Sequence, residues 1–180
     1  MNSMEVILVN ENDEEVGTME KMEAHRKGVL HRAFSIFIFN EKGQMLIHQR
    51  AQKKYHNGGL WTNTCCSHPM PGEITAEAAS RRLREEMGFD TELEKVFAFT
   101  YNEGFENGLT EYEFDHVFVG TWSGKIDPNP DEVQDYVYKN MAELDEELVS
   151  HPSKFTVWFR IAFPKIIAYR NQLLQSNNHS

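Results

Sequence analysis

Residues 75–89 read Thr-Ala-Glu-Ala-Ala-Ser-Arg-Arg-Leu-Arg-Glu-Glu-Met-Gly-Phe, and this stretch decides the fold. Ala, Glu, Arg and Leu are strong helix formers, so residues 75–87 are expected to form a helix. Gly88 stands where glycine closes a last helical turn in the left-handed conformation. Arg82 and Glu86 are four apart and share one helix face. Taken alone, such a helix reads as a solvated face of ion pairs among Arg81, Arg82, Arg84, Glu85 and Glu86.

The surroundings of that helix are strands. Residues 5–9 are apolar and β-branched and read as a strand, followed by a polar turn over 10–15. Residues 30–39, Leu-His-Arg-Ala-Phe-Ser-Ile-Phe-Ile-Phe, read as a buried strand. Residues 40–43 turn the chain, and 44–50 return as the second strand of a hairpin. Gly58, Gly59, Pro69, Pro71 and Gly72 crowd residues 55–72 with breakers, which predicts a loop. Beyond the helix, residues 92–101 and 111–122 read as strands, and 133–138 as a short one after the loop at Pro128 and Pro130. The tail is helical: Phe155, Trp158, Phe159, Ala162, Phe163, Ile166 and Ile167 recur at helical spacing. Pro164 is expected to kink or split that helix. Strands on both sides of a central helix, with helices at the end, predict an α/β sandwich around a mixed sheet.

The 180 residues fit one domain over 1–180, without repeats. Lys and Arg number 18 against 28 Asp and Glu, a net charge of −10, which argues against nucleic-acid partners and an anionic membrane surface. It also predicts repulsion of anionic substrates, unless bases or metal ions cluster locally. The longest apolar stretch, 33–39, is too short to cross a bilayer. The start has no basic region of a signal peptide. Cys65 and Cys66 are adjacent, so they close no useful loop as a disulfide. Reduced thiols and a cytoplasmic location are the expectation.

Four constellations could carry chemistry. The first is the charged helix. The second is the loop Trp61-Thr62-Asn63-Thr64-Cys65-Cys66-Ser67-His68-Pro69, where a thiol beside a His can be activated. The third is Thr110-Glu111-Tyr112-Glu113-Phe114. On a strand, period two puts Glu111 and Glu113 on one face. The fourth is His25, His31 and His68 on three separate segments. Three imidazoles and two carboxylates suit a divalent transition ion, if the segments converge. His48, His56, His116 and His151 read as ordinary core or surface residues.

The first constellation resembles the Nudix box: Gly, five residues, Glu, seven residues, then Arg-Glu-apolar-any-Glu-Glu-any-Gly-apolar. Glu73 stands eight before Arg81, and Glu85, Glu86, Gly88 and Phe89 fall in place. Ser67 replaces the first Gly, and Arg82 replaces a Glu. A guanidinium at position 82 weakens a metal cluster and supplies a phosphate donor instead. Such a site suits holding a diphosphate better than cutting one.

Together the four constellations resemble the type 1 isopentenyl-diphosphate isomerases, a Nudix branch. The carrying residues are Leu30 to Phe34, Gln49-Arg50-Ala51, Lys53-Lys54-Tyr55-His56, Leu60 to Pro69, Glu85 to Gly88, Glu111-Tyr112-Glu113 and Lys154 to Trp158. The likeness spans about residues 4–170, leaving 171–180 as a frayed tail. It implies a Nudix-type α/β/α sandwich with an additional C-terminal helix. The implied activity is conversion of isopentenyl to dimethylallyl diphosphate through a tertiary carbocation. It implies Cys66 and Glu113 as acid/base groups, Tyr101 as a phenol hydrogen-bonded to Glu113, and Trp158 as the aromatic face toward the cation. It implies a metal site of His25, His31, His68, Glu111 and Glu113, holding Mn²⁺ or Zn²⁺. Glu86 would hold Mg²⁺, and Lys21, Arg50, Lys54 and Arg82 would clamp the diphosphate. No flavin or nicotinamide is implied, and the chain is expected to be a monomer or homodimer. The rival readings are a Nudix hydrolase of a nucleoside or other diphosphate, and a non-catalytic metal-dependent binding protein.

Overall fold

β3 (His31–Phe39) is the spine of the sheet. In the computed structural model, which describes residues 4–54 and 57–178, its side chains alternate between two buried layers. Phe37 and Phe39 enter one, and Ile36 and Ile38 the other. A β-branched and aromatic run behaves this way when both faces of the sheet are covered. β8 (Thr110–Thr121) runs parallel to β3 from His31↔Glu113 to Phe39↔Thr121. β7 (Glu94–Gly104) pairs antiparallel with β8. β4 (Met45–Arg50) pairs antiparallel with the end of β3 and with β9 (Val133–Lys139). The sheet is mixed, as the pattern of strands and helices predicts.

α2 (Thr75–Met87) covers one face. Its Ala78, Ala79, Leu83 and Met87 pack on Phe34, Ile36, Ile38 and Leu46. Gly88 ends it at φ 76°, and a Cβ there would lie 2.2 Å from the Asp127 carbonyl oxygen. Two constraints therefore demand glycine at that position. α3 (Met141–Ser150) and α4 (Val157–Asn178) accompany the other face. Phe155, Trp158, Phe159, Phe163 and Ile166 fill the layer beneath them. The chain is thus of the α/β class, with a C-terminal helix, and no helix among the described residues is long and apolar enough to cross a membrane.

Several elements depart from the sequence reading. The supposed loop over 55–72 contains β5 (Trp61–Thr62) and β6 (Cys65–Ser67). β6 pairs with the middle of β3, Ser35↔Cys66 and Ile36↔Cys65, because the buried edge of β3 needs a partner. Both strands are too short to show a period. Residues 10–15 do form a turn, but β2 (Glu15–Glu20) and α1 (Lys21–Lys27) follow it. The seven residues of α1 give no apolar stripe. A Glu20 carboxylate on the Glu23 N–H, at 2.7 Å, and Gly28 at φ 64° cap it instead. Pro164 does not split α4, which is one helix through Asn178. The missing N–H leaves one carbonyl without its usual donor, while Phe159, Ala162, Phe163 and Ile166 bind both turns to one core. The tail is correspondingly helical rather than frayed up to residue 178. Tyr55 and His56, which the resemblance also uses, lie outside the described residues, as do 1–3 and 179–180.

Candidate active site

Four segments converge at one end of β3. α1 brings Lys21 and His25, β3 starts with His31, and β6 leads into His68. β8 places Glu113 opposite His31, and Glu111 two residues earlier on the same face. The ligand atoms of His25, His31, His68 and Glu113 all lie within 4.8 Å of one another, and all four side chains are buried. His68 Nε2 is 3.2 Å from Glu113 Oε1, His31 Nε2 is 3.7 Å from it, and His25 Nε2 is 3.8 Å from Glu111 Oε1. Glu111 stands at the rim of the cluster rather than within the tight group of four.

The imidazoles are oriented from behind. His25 Nδ1 donates to the Lys21 carbonyl at 2.6 Å, and His31 Nδ1 to the Val29 carbonyl at 2.9 Å. A carbonyl can only accept, so each Nδ1 carries the hydrogen and each Nε2 turns inward. This is how metal-ligating imidazoles are held. Burial pushes the His68 imidazole down to about 4, so it is neutral and free to ligate. Burial pushes the Glu113 carboxyl up, but His31 and His68 outweigh it and hold it well below the usual range. This donor set could hold a metal ion.

A cavity of about 130 Å³ opens beside the cluster. Lys21, Arg50, Lys54, Arg82, Cys66, His68, Glu86, Glu111, Glu113 and Trp158 all line it. Tyr101, His25 and His31 do not, being set behind it. Cys66 Sγ donates to Asn63 Oδ1 at 3.0 Å, and Ser35 Oγ lies 3.6 Å away. Both hydrogens of Asn63 Nδ2 go to backbone carbonyls, of Ile36 and Cys65, so its oxygen must face the thiol. Burial, then the nearby Asp115 carboxyl, push the Cys66 thiol up, so it stays protonated. Trp158 is 5% exposed, and the Arg50 guanidinium sits 5.2 Å from its ring centroid.

Tyr101 requires a correction. It pairs with Glu113 across β7 and β8, yet its hydroxyl makes no hydrogen bond among the described residues. Its ring joins the apolar layer with Phe37 and Phe159. Burial, then Glu111 and Glu113, raise its pKa.

The helix of the opening motif does two jobs. Arg81 takes Glu73 in a two-bond grip, at 2.7 and 2.9 Å, which explains their fixed spacing. Arg82 donates to Glu85 at 2.5 Å and to Glu86 at 2.6 Å. Cys65 Sγ donates to the other oxygen of Glu86 at 2.9 Å. Glu86 is therefore aimed from both sides. Sequence reasoning missed Asn63, Ser35, Asp115 and Glu132. Asn63 lay inside the quoted loop. Ser35 and Asp115 could have been found from the inward parity of β3 and β8, but Glu132 has no local signal.

A family model described as NUDIX domain matches residues 29–159. The chain is 50% identical over 165 residues to an isopentenyl-diphosphate Delta-isomerase of Pectobacterium atrosepticum, covering 92% of each chain. The chain belongs to this branch of the Nudix family. Isopentenyl-diphosphate Delta-isomerase 2 of Aromatoleum aromaticum is 48% identical, over 93% of this chain and 88% of that one. Among solved structures, a Deinococcus radiodurans protein superposes with a TM-score of 0.69 at 22% identity, over 82% of this chain and 90% of that one. A MutT protein of Methanosarcina mazei gives 0.63 at 19% identity, over 79% and 94%. At these identities the two structures establish the Nudix fold alone. The Nudix segment contains β3, the Cys65-Cys66 loop, α2 and Trp158, but neither Lys21 nor His25.

Proposed function

We propose that this isomerase moves the double bond of isopentenyl diphosphate to give dimethylallyl diphosphate, with Cys66 and Glu113 as its two proton-handling groups. The supporting observation is their joint placement: the partly buried Cys66 thiol and the buried Glu113 carboxylate line one small cavity beside four cations. One group donates a proton to the alkene, leaving a tertiary carbocation, and the other removes a proton two carbons away. Each turnover adds and removes one proton, so substrate and product are isomers. Asn63 holds the Cys66 S–H in a fixed direction. The Trp158 face lies toward the cation, where attraction to a desolvated charge contributes about 2 kcal/mol. Keeping water out of this small cavity during the reaction would prevent its trapping the carbocation.

Lys21, Arg50, Lys54 and Arg82 bind the diphosphate. The donor set of His25, His31, His68, Glu111 and Glu113 fits Mn²⁺ or Zn²⁺, and Glu86 fits Mg²⁺. When bound, these ions would polarise and fix the Glu113 carboxyl and offset the charge of the diphosphate. No flavin or nicotinamide enters the reading. We further propose a cytoplasmic monomer or homodimer with no nucleic-acid or membrane partner. Incubation with isopentenyl diphosphate and Mg²⁺ tests the function. The acid-labile allylic product is expected; release of phosphate with no such product would favour a hydrolase.

A further inference from the structure

Glu132 sits just before β9 and belongs to no motif of the sequence. Its backbone is fixed: its N–H donates to the Asn129 carbonyl and its carbonyl accepts from the Ala51 N–H, each at 3.0 Å. Its side chain lines the same cavity as Lys21, Arg50, Lys54 and Arg82. Lys54 Nζ donates directly to its Oε2. Arg82 Nη2 stands 3.8 Å from its Oε1. The charges of Arg50 and Lys21 act on it as well. One carboxylate thus faces all four cations. Glu86 does not serve them in the same way, being held by Arg82 and Cys65.

Four converging cations repel one another in a half-buried site. Lys21 records the strain: burial, then Lys54, and more weakly Arg82, lower its pKa, while Glu132 opposes them. Without a counter-charge beside them the four cations would move apart. Something must stand in for the substrate's charge while the pocket is empty.

We infer that Glu132 is the resident counter-ion of the clamp: it holds the four cations together in the free protein, and an incoming diphosphate must outcompete it. This rests on the reading of those four residues as the diphosphate site. A diphosphate carries more than one negative charge and wins the exchange. The anchored carboxylate cannot leave, so it stays beside the bound anion and repels it, which favours release of product.

Glu132→Gln keeps the shape and an acceptor for Lys54 but removes the charge. Wild type and variant are titrated with inorganic pyrophosphate by calorimetry at low ionic strength, with and without Mg²⁺. The variant is expected to bind about five-fold tighter. Without pyrophosphate it is expected to melt below wild type, and the gap should close near about 0.5 M salt, where surface charges are screened. Glu132→Asp, which keeps the charge, should stay close to wild type in affinity. Equal or weaker binding by Glu132→Gln, or equal melting at low salt, overturns the inference while the clamp stands. A folded wild type that does not bind pyrophosphate overturns the clamp, and the inference with it.

Discussion

Cys65 and Cys66 are neighbours with opposite surroundings. Cys65 is fully buried and donates a hydrogen bond to a Glu86 oxygen, while Cys66 lines the cavity. Cys66→Ala should therefore lower kcat by about 10²–10⁴-fold, the usual scale of a lost acid/base group. Cys65→Ala should keep turnover, raise the Mg²⁺ concentration needed for half-maximal rate and cost about 1 kcal/mol of stability. Kinetics of the two variants decide the assignment; normal turnover in Cys66→Ala with loss in Cys65→Ala would reverse it. Tyr101 gives a second prediction at this scale. Its hydroxyl has no hydrogen-bond partner among the described residues, so Tyr101→Phe should not lower the melting temperature. A fall of several degrees would mean the phenol is bonded in solution. The residue types of the site were legible because they are rare and clustered: Cys66, His68, Glu111 and Glu113 announce chemistry. The partners that aim them were not, since Ser35 and Asp115 are ordinary residues made important by strand register.

At the scale of elements, the long periodic segments were readable and the short ones were not. α2 matches its sequence reading from Thr75 to Met87 because helix propensity, apolar spacing and the closing glycine agree. Gly88→Ala tests that closure. It forces a side chain into φ 76° and toward the Asp127 carbonyl, so a loss of about 2 kcal/mol or more is expected by chemical denaturation. A loss below about 0.5 kcal/mol would show that the loop at Asp127 moves aside without cost. β5, β6 and α1 escaped the reading because two, three and seven residues cannot display a period. Tertiary partners specify them: β3 and β4 pair with the two strands. The same three elements lead into or carry Cys66, His68, Lys21 and His25. The least legible parts of the chain therefore contribute much of the site.

Across the whole molecule, a net charge of −10 coexists with a cavity lined by four cations. Global charge alone predicts repulsion of an anionic substrate, but the field that matters is local. Buried titratable groups also make stability depend on pH. His48 is buried neutral, donating Nδ1–H to the Thr64 carbonyl at 3.0 Å, and burial lowers its pKa to about 4. Its unfolded pKa is the ordinary 6.5, so below pH 6.5 the unfolded chain binds a proton that the folded chain does not. Stability should be full above that pH and fall by about 3 kcal/mol on the way down to about 4. Denaturation of wild type and His48→Gln over this window should show a shallower acid loss in the variant; parallel curves would remove His48 from the account. Chelation is a further test at this scale. EDTA should abolish turnover, and Mg²⁺ with Mn²⁺ or Zn²⁺ should restore it, whereas full activity in chelator would contradict a metal role for the histidine cluster.

The central claim is that Cys66 and Glu113 exchange protons with a bound five-carbon diphosphate. The direct measurement is NMR of isopentenyl diphosphate incubated with the protein and Mg²⁺ in D₂O. The account predicts dimethylallyl diphosphate carrying deuterium, and its loss in both Cys66→Ala and Glu113→Gln. Unlabelled product, or deuterium incorporation undiminished in both variants, would contradict it.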